Sequence, residues 1–148
     1  MVDNLEKNCL GGKRRFVSWG RFPRQSSSIC TNGTSTLYND EFIVSPNRLY
    51  AAGLYNNSFG VYNTAAFGCN STAIWSASQS SAPAGAYVIA QNDANLVIYG
   101  STSGPVWAAG TNHGQNDAPY CLIMLDSGNL IWVEGNSTVM WQTNTVQG

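Results

Sequence analysis

Three stretches of this chain close on the same signature: Ala73-Ile74-Trp75-Ser76, Pro105-Val106-Trp107-Ala108 and Val139-Met140-Trp141-Gln142. The tryptophans lie 32 and 34 residues apart, and upstream of each sits an alternating strand, a polar turn and a second alternating strand. Laid over one another, residues 54–62, 91–99 and 125–133 occupy the same position in the repeat. From the end of that segment to the tryptophan is eight residues in the second and third repeats. It is thirteen in the first, which carries a five-residue insertion around Phe67-Gly68-Cys69. A period of this size, made of short strands and polar turns, specifies a symmetric all-β assembly. One repeat cannot bury its apolar face alone, whereas three packed around an axis share a core. Trp75, Trp107 and Trp141 are the natural centre of that core, each contributing a large apolar area and an indole N–H that needs a partner. They are read as scaffold.

The repeats span about residues 36–76, 77–110 and 111–148. Residues 1–35 carry no copy and form a basic N-terminal extension, with the boundary near Ser35. Six of the seven basic residues (Lys7, Lys13, Arg14, Arg15, Arg21 and Arg24) lie in the first 24 positions. Residues 1–30 therefore carry a net charge of +4 and the remainder −5, within an overall −1. After Arg48 there is no Lys or Arg, which argues against a phosphate- or nucleic-acid-binding body. The segment Lys13-Arg14-Arg15-Phe16-Val17-Ser18-Trp19 reads more simply as an arm docked on the acidic body than as a contact for anionic surfaces.

Only 10% of residues are charged, and aromatic residues make up 11% beside abundant Gly, Ser, Thr and Asn, a balance that favours strands and turns. At 148 residues the chain is one compact domain, or one domain with an arm. No window is apolar enough to span a membrane, and the first residues lack the apolar stretch of a secretory signal. The chain is thus made without a signal or begins after one was removed. Four sequons (at Asn32, Asn56, Asn70 and Asn136) permit glycosylation in a secretory route. The four cysteines (9, 30, 69 and 121) have no metal-type spacing and His113 is the sole histidine, so neither a zinc site nor any other cofactor is expected. One histidine and no paired carboxylates leave little acid–base machinery, so no enzyme is expected.

The chemistry concentrates in residues 91–99. Read as a strand, this segment puts Gln91, Asp93, Asn95, Val97 and Tyr99 on one face and Leu96 and Ile98 on the other. Gln and Asn offer both an acceptor and donors, Asp two acceptors and Tyr a hydroxyl. Such a row of mixed donors and acceptors suits the vicinal hydroxyls of a sugar, and Val97 supplies an apolar patch for the C–H face of its ring. No nucleophile–base pair lies in the row. Alternation in any half-buried strand would explain polarity, but not Asp and Asn in mid-strand, where propensity disfavours both.

The pattern Q-x-D-x-N-x-V-x-Y in residues 91–99 resembles the sugar-binding motif of the monocot bulb-type mannose-binding lectins at all five fixed positions. Pro105 to Thr111 and Leu125-Asp126-Ser127-Gly128-Asn129-Leu130 are also similar to that family, and the resemblance covers about residues 36–148. It implies a β-prism II fold, three four-stranded antiparallel sheets around a pseudo-threefold axis. It also implies that Gln91, Asp93, Asn95 and Tyr99 hydrogen-bond a mannose or a mannose-containing glycan. Asp93 and Asn95 would lie near the axial 2-hydroxyl, with Val97 against the ring.

The other repeats depart from the motif. The first has Leu54, Asn56, Ser58, Gly60 and Tyr62 at the five positions; the third has Leu125, Ser127, Asn129, Ile131 and Val133. Without Asp and Gln, neither offers the charge-assisted acceptor or the long amide, so one working site per chain is expected. Family members often dimerise by exchanging the C-terminal strand, and residues 136–146 resemble that strand, which implies a homodimer. The family's usual disulfide starts from a Cys inside the motif, where this chain has Ala94. Three pairings of the four cysteines are possible, of which Cys9–Cys30 with Cys69–Cys121 is favoured.

Two other functions compete with a lectin. One is a toxin or bacteriocin-like protein, in which the prism addresses a target surface and the arm, with Phe16, Trp19 and Phe22, perturbs its membrane. The other is an interaction module with a vestigial sugar site.

Overall fold

The computed structural model describes residues 26–64, 73–114, 117–135 and 137–148. Among these residues the chain forms twelve strands arranged as three four-stranded antiparallel sheets, the β-prism II architecture. Sheet I contains β3 (Phe42–Val44), β4 (Tyr50–Tyr55), β5 (Ser58–Asn63) and β6 (Trp75–Ser76). Sheet II orders β2 (Thr36–Tyr38), β7 (Tyr87–Ala90), β8 (Leu96–Tyr99) and β9 (Pro105–Ala108). Sheet III orders β1 (Ser28–Cys30), β10 (Cys121–Met124), β11 (Leu130–Val133) and β12 (Val139–Gln142).

Repeats and sheets do not coincide, because two sheets take an edge strand from far upstream. β2, read from sequence as the opening of the first repeat, pairs with β7 (Leu37 opposite Val88) in sheet II. β1 pairs with β10 (Ile29 opposite Leu122), so paired structure begins upstream of residue 35, although residues 28–30 copy nothing in the repeat. β12 lies against β11 of its own chain, with Trp141 opposite Trp132. The lysines and arginines of the arm precede residue 26 and fall outside the described residues.

Alternation drives each sheet's inner face into one shared core. Ile43 and Phe59 come from sheet I, Leu96 and Ile98 from sheet II, and Leu122 and Trp132 from sheet III, all fully buried. Trp75, Trp107 and Trp141 meet edge to face, with ring centroids 5.4–6.1 Å apart. All three are only half-buried and pack against the core from its margin. Among the described residues the fully buried tryptophan is Trp132, which the repeat pattern does not single out.

Among the described residues a disulfide joins Cys30 to Cys121. This corrects the expected Cys9–Cys30 and Cys69–Cys121 pairing; Cys9 and Cys69 lie outside the described residues. The cause is register: Cys30 and Cys121 are direct partners across β1 and β10, with Cα atoms 4.2 Å apart. The Cys30 N–H turns away to Thr34 C=O, which marks the close, non-hydrogen-bonded kind of cross-strand pair.

Candidate functional site

Residues 91–99 are half turn and half strand. β8 covers only Leu96–Tyr99, while residues 91–95 form the hairpin connection from β7. Gln91 N–H bonds Asn95 C=O at 2.9 Å and Ala94 N–H bonds Gln91 C=O at 3.1 Å. Ala94 then takes φ 72°, in the left-handed region. This is a three-residue loop of the kind in which a β-turn is followed by a left-handed residue. Asp93 and Asn95 therefore do not sit against strand propensity, as the sequence pattern suggested. They occupy a turn, where short polar side chains cap the backbone: Asp93 Oδ1 accepts the Asn95 N–H at 3.0 Å.

The turn is held from three directions. Asn95 Oδ1 accepts N–H groups from Leu96, Gly110 and Thr111 at 3.0–3.2 Å, latching the turn to the chain leaving β9. His113 N–H donates to Asp93 C=O at 2.7 Å. From the core, Trp132 Nε1 donates to Ala94 C=O and to Thr111 Oγ1, both at 3.0 Å, while Thr111 Oγ1–H donates to Ala94 C=O at 2.6 Å. An L-residue in the left-handed region costs about 1–2 kcal/mol. Here the buried Ala94 methyl and the two bonds to its carbonyl offset that cost.

On the outer face, Gln91 Nε2 donates to Tyr99 Oη at 3.0 Å, bridging turn and strand. Between them lies Val97, only 4% exposed, as a floor. After these bonds the second Asp93 carboxylate oxygen, the Asn95 amide nitrogen, the Gln91 amide oxygen and the Tyr99 hydroxyl proton have no partner among the described residues. Gln91 and Tyr99 thus meet over Val97 on the outer face of sheet II, and Asp93 and Asn95 sit in the turn that ends it. Trp132 and Thr111, which anchor it from behind, carry no mark in the repeat pattern; the one signal in the sequence is that the indole N–H of a buried tryptophan needs a partner.

The corresponding turn of sheet III repeats this construction with different chemistry. Leu125 N–H bonds Asn129 C=O, Gly128 (φ 94°) takes the left-handed position, and Ser127 Oγ accepts the Asn129 N–H. Asn129 Oδ1 again serves as a latch, accepting from Thr143 and Thr145. Its amide nitrogen, however, is bound to Gln142 Oε1 at 2.8 Å, where sheet II has Ala108. Both the oxygen and the nitrogen of the Asn129 side chain thus have internal partners, and the residue is 6% exposed.

In sheet I the connection shrinks by one residue. Asn56 and Asn57, both at positive φ, form a two-residue hairpin loop, and Leu54 pairs with Phe59 as Ala90 pairs with Leu96. Leu54 is therefore a core residue, and aligning it with Gln91 is corrected to aligning it with Ala90. Tyr62, the counterpart of Tyr99, is 6% exposed, and burial together with neighbouring Tyr55 pushes its phenol up to about 12. Neither surface offers the set of open groups found on sheet II.

Because Asn95 and Asn129 are both latches, each Asn→Ala variant should lose stability by roughly 1–3 kcal/mol, the cost of orphaning backbone donors. Thermal melts check this; an unshifted midpoint for either variant would contradict it.

No protein-family model matches the chain. The receptor-like serine/threonine-protein kinase SD1-7 of Arabidopsis thaliana is 24% identical over 132 residues; the match takes 82% of this chain but spans only 15% of the kinase. Among solved structures, a monomeric monocot mannose-binding lectin from Gastrodia elata superposes with a TM-score of 0.67 at 23% identity, covering 82% of this chain and 100% of that one. The Marasmius oreades lectin gives 0.65 at 23% identity, over 81% and 92% of the two chains. The mannose-specific agglutinin from snowdrop (Galanthus nivalis) bulbs, complexed with methyl-α-D-mannoside, gives 0.59 at 19% identity, over 83% and 100%. The class these likenesses define is that of β-prism II proteins.

Proposed function

We propose that the protein is a non-catalytic, carbohydrate-binding lectin that holds a terminal mannose on the outer face of sheet II. Gln91, Asp93, Asn95 and Tyr99 hydrogen-bond the sugar, and Val97 lies beneath its ring. The carrying observation is the cluster of open donors and acceptors around the Gln91–Tyr99 bridge. In the proposed complex Asp93 accepts from one hydroxyl while the Asn95 amide donates to it, so Asn95 binds through nitrogen and holds the turn through oxygen. The architecture shared with mannose-binding lectins supports this reading. Sheets I and III, whose corresponding groups are buried or internally bonded, leave one site per chain.

A shallow single site binds weakly, and linking sites raises apparent affinity by around 10² to 10⁴. We therefore also propose that agglutination, where it occurs, depends on self-association of the chain.

The test is a glycan array comparing wild type with Asp93→Asn and Asn95→Ala, followed by calorimetry with methyl α-mannoside. Mannose-terminated glycans should stand out for wild type and be lost in both variants, with about one mannoside bound per chain. A flat array, or variants that bind as well as wild type, would refute the assignment.

A further inference from the structure

We infer that the outer face of sheet I is an intramolecular docking surface, covered by the chain's own basic, aromatic arm (residues 13–24). The strands of sheet I turn Ile43, Ala52, Leu54, Phe59 and Val61 to the shared core. Alternation then puts Val44, Ala51 and Tyr62 in one row on the opposite face, and Phe42, Gly53 and Gly60 in another. Each row consists of direct cross-strand partners. All six are buried, with Phe42 only 1% and Tyr62 only 6% exposed. The other two outer faces differ: Thr36 and Ile89 on sheet II, and Cys121, Ile123 and Ile131 on sheet III, stay partly exposed.

Two glycines explain the shape of this face but not its burial. A Cβ at Gly53 would lie 2.6 Å from the Phe42 ring, and one at Gly60 3.3 Å from the Tyr62 ring, so both rings lie down on the sheet. They meet each other edge to face, with centroids 6.3 Å apart. A ring lying on a sheet keeps its upper side open unless a further layer covers it, and the shared core occupies the other side of these strands. The cover therefore comes from outside the three sheets.

The arm fits as that cover. Ser26 C=O accepts the Val44 N–H at 2.9 Å, so the chain before Ser26 starts from the outer edge of β3, beside this face. Phe16, Val17, Trp19 and Phe22 fall within seven residues and supply apolar area. Arg15, Arg21 and Arg24 complement Asp40 and Glu41, which are partly exposed where the chain enters β3. The cysteines agree with this path. Cys30 and Cys121 are joined, so Cys9, ahead of the arm, and Cys69, in the connection from β5 to β6, are left to each other. The 17 residues from Cys9 to Ser26 easily span the roughly 15 Å from β3 to β6. Closing a Cys9–Cys69 bond removes two protons and two electrons from the thiols, taken up by a disulfide oxidant that leaves as two thiols. An arm stapled in this way is not available to a membrane, and none of this depends on the mannose assignment.

Two measurements on the full chain test the docking. Mass spectrometry of a non-reduced digest should find Cys9 linked to Cys69. Hydroxyl-radical footprinting should find Phe42 and Tyr62 protected in wild type. In the triple variant Phe16→Ser, Trp19→Ser, Phe22→Ser that protection should be lost, with Tyr62 labelling rising toward that of the exposed Tyr38 and Tyr99 labelling unchanged. The digest needs no variant, so it decides even if the triple variant misfolds. If Cys9 alkylates before reduction, or is linked to another cysteine, the inference fails. It also fails if the triple variant keeps Tyr62 protected, since the insertion around Phe67 then covers the face. Protection that falls on dilution of wild type would assign the face to a second copy of the chain and overturn it as well.

Discussion

Replacing Trp132 with alanine is expected to lower stability by about 3–5 kcal/mol, the usual cost of deleting a buried aromatic ring. For a chain of this size that is a melting shift of roughly 6–20 °C. The same variant should lose mannoside binding, because the indole is the core's grip on the Ala94 carbonyl and on Thr111. Trp132→Phe separates the two effects. It keeps most of the ring but removes the N–H, leaving Thr111 Oγ1 as the sole side-chain donor to Ala94 C=O. A smaller stability loss with a clear drop in affinity is expected, measured by thermal melts and calorimetry. If Trp132→Phe binds methyl α-mannoside like wild type, the indole does not position the turn.

The second large effect belongs to the disulfide. Cys30 and Cys121 are 91 residues apart in sequence, and a cross-link closing a loop that long restricts the unfolded chain strongly. Replacing both with serine should cost about 2–5 kcal/mol. Sheet II contributes nothing to this bridge, so the double variant should retain wild-type affinity below its melting point. Equal midpoints for the variant and wild type would show that β1–β10 pairing holds without the bond.

Much of the fold was legible because period and alternation are long-range signals: three spaced tryptophans and two polar turns were enough to count the sheets. The short edge strands were not legible. β1 and β2 are three residues each, too short for alternation to register, and their partners lie far along the chain. The disulfide is hidden for the same reason, since Cys30 faces Cys121 only through the β1–β10 pairing. At the candidate site the residue set was readable, yet its physical basis differed. In a strand Asp93 and Asn95 would be costly, but each caps backbone groups of a turn. Trp132 falls between the repeating tryptophans, so the period does not mark it. Which side chains have hydrogen-bonding capacity to spare is decided by neighbours such as Gln142, close to Asn129 in space and thirteen residues away in sequence.

The borrowed edge strands also bear on kinetics. β1 can pair only after β10 exists, and β2 only after β7, so two sheets depend on contacts between opposite halves of the chain. High contact order of this kind places a domain among slow folders, in the millisecond-to-second range. During that interval the apolar strands of sheets II and III have open edges, which makes the unfinished prism the state most exposed to aggregation.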